Sequence, residues 1–237
     1  MIKKIDIMGM WLDNYTVREA ISKVETYLSD NVMNTIESIS MQMLLEAEND
    51  PTVQEVIDSL DLSIIGEKEI LQAAGVATMQ RVRETEENDF SFEFFKRIER
   101  NKKGIFLLGE TSEKLSRVRE ELQREFPKLE FVGEYAVENC IGNLEAVIND
   151  MNAMTPDVIV SILPTPMQEH FFLEHKDKMN ANIWYGTGGL EICGKRHGLK
   201  NFLRSMMHSV RLKNTMNKYK DREEILEEES RDENEAL

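Results

Sequence analysis

The sequence predicts an α/β fold: a Rossmann-like, mostly parallel sheet with flanking helices, extended by a basic helical appendage at its C-terminal end. Three observations carry that prediction. Residues 158–194 open with the apolar run VIVSIL, punctuated by Pro164 and Pro166. A helix-like segment with Phe171, Phe172 and His175 on one face follows, and a second strand, IWYG, runs into Thr187-Gly188-Gly189. Strand, helix, strand and glycine turn make a parallel βαβ unit. From Gly104 onward, strand-like and helix-like segments alternate regularly. With 237 residues, 41% of them hydrophobic, the chain can fill one large or two small cores.

Taken in order, KKIDIMGMWLD reads as a strand or the start of a hairpin, and Thr16 caps an amphipathic helix, VREAISKVETYL. NTIESISM is β-rich and leads into MQMLLEAEND, after which Pro51 opens a helix, TVQEVIDSL. DLSII is a strand closed by Gly66-Glu67-Lys68-Glu69, and a helix runs on to about Ala74. The polar, charged stretch from Gly75 to Asp89 reads as an irregular loop, and Phe90 to Arg100 as a helix with aromatics on more than one side. GIFLLGE is a buried strand, and Thr111 or Ser112 caps SEKLSRVREELQREF, which Pro127 ends. LEFVGEY is a strand, IGNLEAVINDMNAM a helix, and Pro156 precedes the VIVSIL strand. The expected organisation is a Rossmann-like domain over 1–194, a basic amphipathic appendage over 195–220 and an acidic disordered tail over 221–237.

Composition narrows the function. No apolar run approaches the roughly 20 residues that cross a bilayer, and the N-terminus lacks a secretory apolar segment, so a cytoplasmic location is expected. Two cysteines without CxxC spacing and four histidines without an HxxxH pair point away from a disulfide framework and from a metal site. A net charge of −15 argues against nucleic acid as a partner. The charge is uneven, however: residues 195–220 hold eight Lys or Arg and no acid, whereas 221–237 hold nine acids and two bases. Leu199, Phe202, Leu203, Met206, Met207, Val210 and Leu212 fall on one broad face of the basic segment. Such a helix either packs on the core or lies on an anionic membrane surface, which would make the protein peripheral at the inner face of the membrane.

Ligands of parallel sheets collect beyond the carboxyl ends of strands, here the Pro164–Glu169 loop and the Gly186–Gly189 turn. Gln168 and Glu169 at the first, and Gly186, Thr187, Gly188 and Gly189 at the second, are the candidate nucleotide-binding residues. Glycines there let backbone N–H groups approach a phosphate. A purely structural role also stays open, since Glu at a helix N-terminus is favoured by the dipole. Arg81 can clamp a phosphate or sit on the surface beside Arg83, and Glu67 and Glu69 form either a solvated loop or a base.

Several stretches together resemble the WecG/TagA/CpsF glycosyltransferases. They are DIMGMWLDNYTVREAI, EAENDPTVQEVIDSLDLSII, QRV, GIFLLGE, FPKLEFVGEY, PTPMQE and YGTGGLEICG, in the family's order and spacing over roughly residues 4–200. The resemblance implies an inverting, metal-independent enzyme with no cofactor. It would move an N-acetylmannosamine-like sugar from a UDP-sugar to a lipid-diphosphate-linked sugar in teichoic acid or other surface-polysaccharide synthesis, and its basic appendage would touch the membrane. The family's Thr-Pro-Asn loop falls on Ser38-Ile39-Ser40, and its aspartate base falls on Gly66, one residue before Glu67. The resemblance therefore gives Ser40, Glu67 and Arg81 as catalytic positions. The alternative is a catalytically degenerate, nucleotide-binding or regulatory relative that acts with an active paralogue; homo-oligomerisation is left open.

Overall fold

A computed structural model describes residues 3–140 and 144–190, with Ile192, Leu212, residues 214–216 and Lys218. The chain begins with an antiparallel hairpin, β1 (Lys4–Ile7) and β2 (Met10–Asp13). Its two-residue loop, Met8-Gly9, has φ of 56° and 80°. Both residues are left-handed, the twist that closes a tight hairpin. Helix α1 (Val17–Tyr27) starts at a complete capping box, with Thr16 bonded to the Glu19 amide and Glu19 to the Thr16 amide. Then come β3 (Asn34–Ile39), α2 (Met41–Ala47), α3 (Pro51–Ser59), β4 (Leu62–Ile65), α4 (Lys68–Ala73), α5 (Met79–Glu86) and α6 (Asp89–Arg100). The second half runs β5 (Gly104–Gly109), α7 (Ser112–Glu125), β6 (Glu130–Ala136), α8 (Glu145–Ala153), β7 (Val158–Ser161), α9 (Met167–His175) and β8 (Ile183–Gly186).

Six of these strands form one sheet in the order β4-β3-β8-β7-β5-β6, and every pairing in it is parallel. The Rossmann-like expectation is met. Strands β3, β5, β7 and β8 are buried along their whole length. That is why they read as apolar runs: a parallel sheet is covered on both faces. Ile36, Leu107, Val160 and Tyr185 point to one face, where α1, α6 and α7 supply Val24, Phe94, Phe95 and Leu122. Phe106, Leu108, Ile159 and Trp184 point to the other, against Ile148, Met151, Phe171 and Phe172 of α8 and α9. The hairpin, α2, α3 and α4 close the β3–β4 end through Ile7, Leu12, Met43, Val53 and Ile70.

One expected element is corrected. The stretch from Gly75 to Asp89 is not an irregular loop, because it contains α5, capped by Thr78. Its buried positions are Arg81, Glu84 and Thr85. A helix with a polar inward face shows no apolar period, so the pattern that reveals other helices is silent here. Thr111, not Ser112, caps α7. The helix expected from Ile141 is seen from Glu145, and residues 141–143 lie outside the described residues.

Most of the basic appendage and all of the acidic tail also lie outside the described residues. Of the appendage, Leu212 and Met216 are helical and buried, and both join the cluster formed by the hairpin and α2. Among the described residues no helix is long and apolar enough to cross a membrane.

Candidate active site

Because the six strands are parallel, their carboxyl ends lie along one edge of the sheet. Three of those ends bring the candidate residues together. Strand β3 runs into Ser40, β4 into Gly66-Glu67, and β8 into Thr187-Gly188-Gly189. A narrow cleft with a cavity volume of about 30 Å³ opens at the ends of β3 and β4, lined by Ser38, Gly66, Arg81, Glu84, Asn88 and Ser91 among others; Ser40, Glu67 and the glycine turn do not line it. It is roofed by the start of α1 and by α5 and α6, so the polar helix missed in the sequence forms one of its walls.

Arg81 is buried, not exposed beside Arg83. Its Nη1 donates to Glu84 Oε2 at 3.1 Å, and its Nε to Asn14 Oδ1 at 3.4 Å. Glu84 in turn accepts from the Val17 amide at 3.2 Å and from Gln80 Nε2 at 2.8 Å. A guanidinium is thus fixed at the cleft wall by a carboxylate that itself ties α5 to the start of α1. Opposite, the Tyr185 hydroxyl sits between Ser38 Oγ at 3.1 Å and Ser91 Oγ at 2.9 Å, a chain of three buried hydroxyls. Its ring is held by Phe94 at 4.7 Å and, edge-on, by Phe90 at 5.8 Å.

Ser40 and Glu67 meet at the N-terminus of α2. Ser40 Oγ accepts from the Met43 amide at 3.1 Å, and Glu67 Oε2 from the Met41 amide at 2.5 Å. Two of the helix's otherwise unsatisfied first amides are filled in this way. Gly66 has no room for a side chain. A Cβ there would lie 2.5 Å from Leu190 Cδ1 and 2.9 Å from the Ile39 carbonyl oxygen.

The other expected crevice, between the Pro164–Glu169 loop and the glycine turn, is filled by contacts between the two. Gln168 Oε1 accepts from the Thr187 amide at 3.1 Å and from the Gly188 amide at 3.2 Å. A Cβ on Gly189 would come within 3.5 Å of Pro164 Cα. The cleft lies instead at the ends of β3 and β4, between Ser38, Gly66 and Arg81. Gly188 and Gly189 have φ of 56° and 74°, which explains glycine at both. Among the described residues nothing accepts from the Gly189 N–H.

Under the turn lies a buried carboxyl pair, Glu37 and Glu169, both fully shielded from solvent. Glu37 Oε1 accepts from Trp184 Nε1 at 3.3 Å, and Glu169 Oε1 from Thr165 Oγ1 at 3.0 Å. Burial, and secondarily the charge of Glu169, pushes the Glu37 carboxyl well above its ordinary range; burial likewise raises Glu169. Sequence reading passed over Glu37, although a lone acid inside the β-rich NTIESI was the available signal. It passed over Tyr185 in IWYG as well. Among the described residues no three His, Cys, Asp or Glu side chains gather as metal ligands.

A Rossmann-like parallel sheet with a cleft and a glycine turn at its carboxyl edge defines an α/β protein of the class that binds ligands beyond its strand ends. More specifically, the chain belongs to the glycosyl transferase WecG/TagA/CpsF family, whose model matches residues 5–191. Relatives from Staphylococcus aureus strains NCTC 8325, COL and MSSA476 are named N-acetylglucosaminyldiphosphoundecaprenol N-acetyl-beta-D-mannosaminyltransferase. Each is 21% identical over 188 residues, which span 78% of this chain and 73% of the relative.

Proposed function

We propose that this protein transfers an N-acetylmannosamine-like sugar from a UDP-sugar to a lipid-diphosphate-linked N-acetylglucosamine, in the synthesis of a cell-surface polymer such as teichoic acid. The observation that carries the reading is the buried Arg81 on the wall of a cleft at the carboxyl ends of β3 and β4, with the glycine turn at the same edge of the sheet after β8. A fixed guanidinium and a left-handed glycine pair suit the diphosphate of a nucleotide sugar. In the inverting reaction the acceptor hydroxyl oxygen bonds to the anomeric carbon as the bond from that carbon to the UDP oxygen breaks. The hydroxyl proton passes to a base, and negative charge grows on the departing diphosphate, where Arg81 and the turn stabilise it. Glu67 is the carboxylate nearest the family's base position. It serves as base by exchanging its bond with the Met41 amide for one with the acceptor hydroxyl.

A second reading has its own support. Gly66 carries no carboxylate and has no space for one, and Glu67 is occupied as a helix cap. On that reading the protein keeps the nucleotide pocket and acts with an active paralogue. Incubation with UDP-N-acetylmannosamine and a short-chain lipid-diphosphate-N-acetylglucosamine, followed by UDP release, separates the two: turnover supports the transferase, and UDP binding without turnover supports the regulator.

The two roles of Glu67 are also separable. Glu67→Ala is expected to lower stability by about 1 kcal/mol through the lost cap, read as a shift in urea midpoint. Glu67→Gln keeps an acceptor for the Met41 amide and should retain most of that stability while losing turnover. Full turnover in Glu67→Gln would remove it as the base. The appendage is proposed to reach an anionic membrane surface through its basic residues, with Leu212 and Met216 anchoring it to the domain. Equal flotation with liposomes of the whole chain and of a chain lacking residues 195–220 would remove that part of the reading.

A further inference from the structure

The Gln168 amide is bonded on both its oxygen and its nitrogen side. Its oxygen takes the Gly188 N–H and shares the Thr187 N–H with the Ser161 carbonyl oxygen at 3.0 Å, and its Nε2 donates to Glu169 Oε1 at 3.5 Å with Glu37 Oε1 close by. A flipped amide would set N–H groups against the two backbone N–H groups and its oxygen against the two carboxyls. The carboxyls therefore decide which way Gln168 faces. Space is equally constrained: a Cβ on Gly186 would lie 2.5 Å from Gln168 Nε2 and 2.7 Å from Glu37 Oε1. Glu37 Oε2, Glu169 Oε2 and Thr187 Oγ1 are buried in the same place and have no partner among the described residues.

We propose that Glu37 is a positioning residue: with Glu169 it holds a single proton beneath the Gln168 amide, and this one-proton pair locks the amide onto the Thr187–Gly188 turn that binds the nucleotide. The nucleotide part rests on the function proposed above. Two bare carboxylates on one amide in a dry site repel each other, whereas one neutral acid beside one carboxylate keeps acceptors for both N–H donors. Among the described residues no lysine or arginine bonds to either carboxyl to replace the proton with a cation. From α9 the ionisable neighbours are His170, exposed and bonded to Asp50 at 2.7 Å, and the buried His175, whose ring nitrogens have no hydrogen-bond partner among the described residues. On the β4 side, Ser63 stands in register with Glu37 and is taken by Asp13, which pairs with Lys4 at 3.6 Å. From β8 come only Gly186 and the Trp184 indole.

As pH rises and the second carboxyl ionises, the clamp loosens. The test compares the full-length protein with Glu37→Gln, whose neutral side chain mimics the protonated acid at every pH. Glu169→Gln serves as the second variant should the first fail to fold. Amide exchange at Gly188, corrected for the intrinsic pH dependence, reads the clamp without any nucleotide; the Thr187 N–H, held also by the Ser161 carbonyl oxygen, is the internal reference. Protection in the wild type is expected to fall about tenfold from mildly acidic to alkaline pH, and to stay level in the variant. UDP affinity should follow the same difference, the nucleotide's own titration being common to both proteins. Parallel pH profiles in wild type and variant, or a variant unprotected at every pH, would overturn the proposal. If neither protein binds UDP, the proposed function fails instead, and the exchange data alone decide the clamp.

Discussion

Replacing Arg81 with alanine is expected to lower the stability of this protein by about 3–5 kcal/mol and to abolish transfer. Both partners of the ion pair are buried, with side chains 7% and 8% exposed and 3.1 Å apart. Removing one of them leaves the Glu84 charge without its cation in a largely shielded wall of the cleft. The loss spreads further, because Glu84 Oε2 also holds the Val17 amide at the start of α1. A urea unfolding curve measures the effect. A companion variant separates fold from chemistry: Arg81→Met with Glu84→Met removes both charges together, which in other buried pairs is close to neutral or stabilising. The double variant should thus regain most of the stability and still show no UDP release. Recovered stability together with normal release would mean that Arg81 is a strut and not a ligand of the diphosphate. A loss under about 1 kcal/mol in the single variant would mean that water reaches Glu84 after all.

The scaffold was legible in the sequence because the central strands β3, β5, β7 and β8 are buried on both faces and covering helices such as α1, α6 and α7 have an apolar stripe. VIVSIL, GIFLLGE and IWYG needed nothing beyond that pattern. Helix α5 escaped because its inward residues, Arg81, Glu84 and Thr85, are the polar ones. The periodicity that marks a helix by its oil was absent, and the same polarity makes the helix a wall of the cleft. Gln168, Glu169 and the glycine turn were recognised as a group from their places at strand ends. Their mutual bonds were not, since a side chain that reaches from α9 to the backbone after β8 leaves no trace in spacing. Glu37 is the clearest case. It is the one charged residue of NTIESI, yet it is fully buried, because β3 lies inside the sheet between β4 and β8. A one-dimensional reading cannot distinguish an edge strand from a central one when the run is short. The basic segment left two readings open, core packing or membrane surface, and Leu212 and Met216 are packed in the core.

Placing an aspartate at position 66, where the family's pattern has its base, is expected to destabilise the fold by about 1–3 kcal/mol and not to raise turnover. The obstacle is the first carbon of the side chain. Leu190 Cδ1, 2.5 Å from the Cβ position, is the end of a flexible side chain and can swing away. The Ile39 carbonyl oxygen at 2.9 Å cannot, because it belongs to β3 and accepts the Gly66 amide at 2.9 Å, which continues the β3–β4 ladder. Any side chain at 66 must therefore pry β4 from β3 at the point where both strands deliver residues to the cleft. Gly66→Ala should show most of the urea-midpoint shift. Gly66→Asp adds a carboxylate close to Glu67, whose bond to the Met41 amide then carries a second negative charge beside it. If Gly66→Asp kept wild-type stability and turned over faster, β3 and β4 would have to part there at little cost, and the glycine would be a lost base and not a packing requirement. With both variants destabilised and turnover unimproved, the divergence at 66 is built into the sheet. A base would then have to come from a neighbouring chain position, which leaves Glu67 as the group to interrogate first.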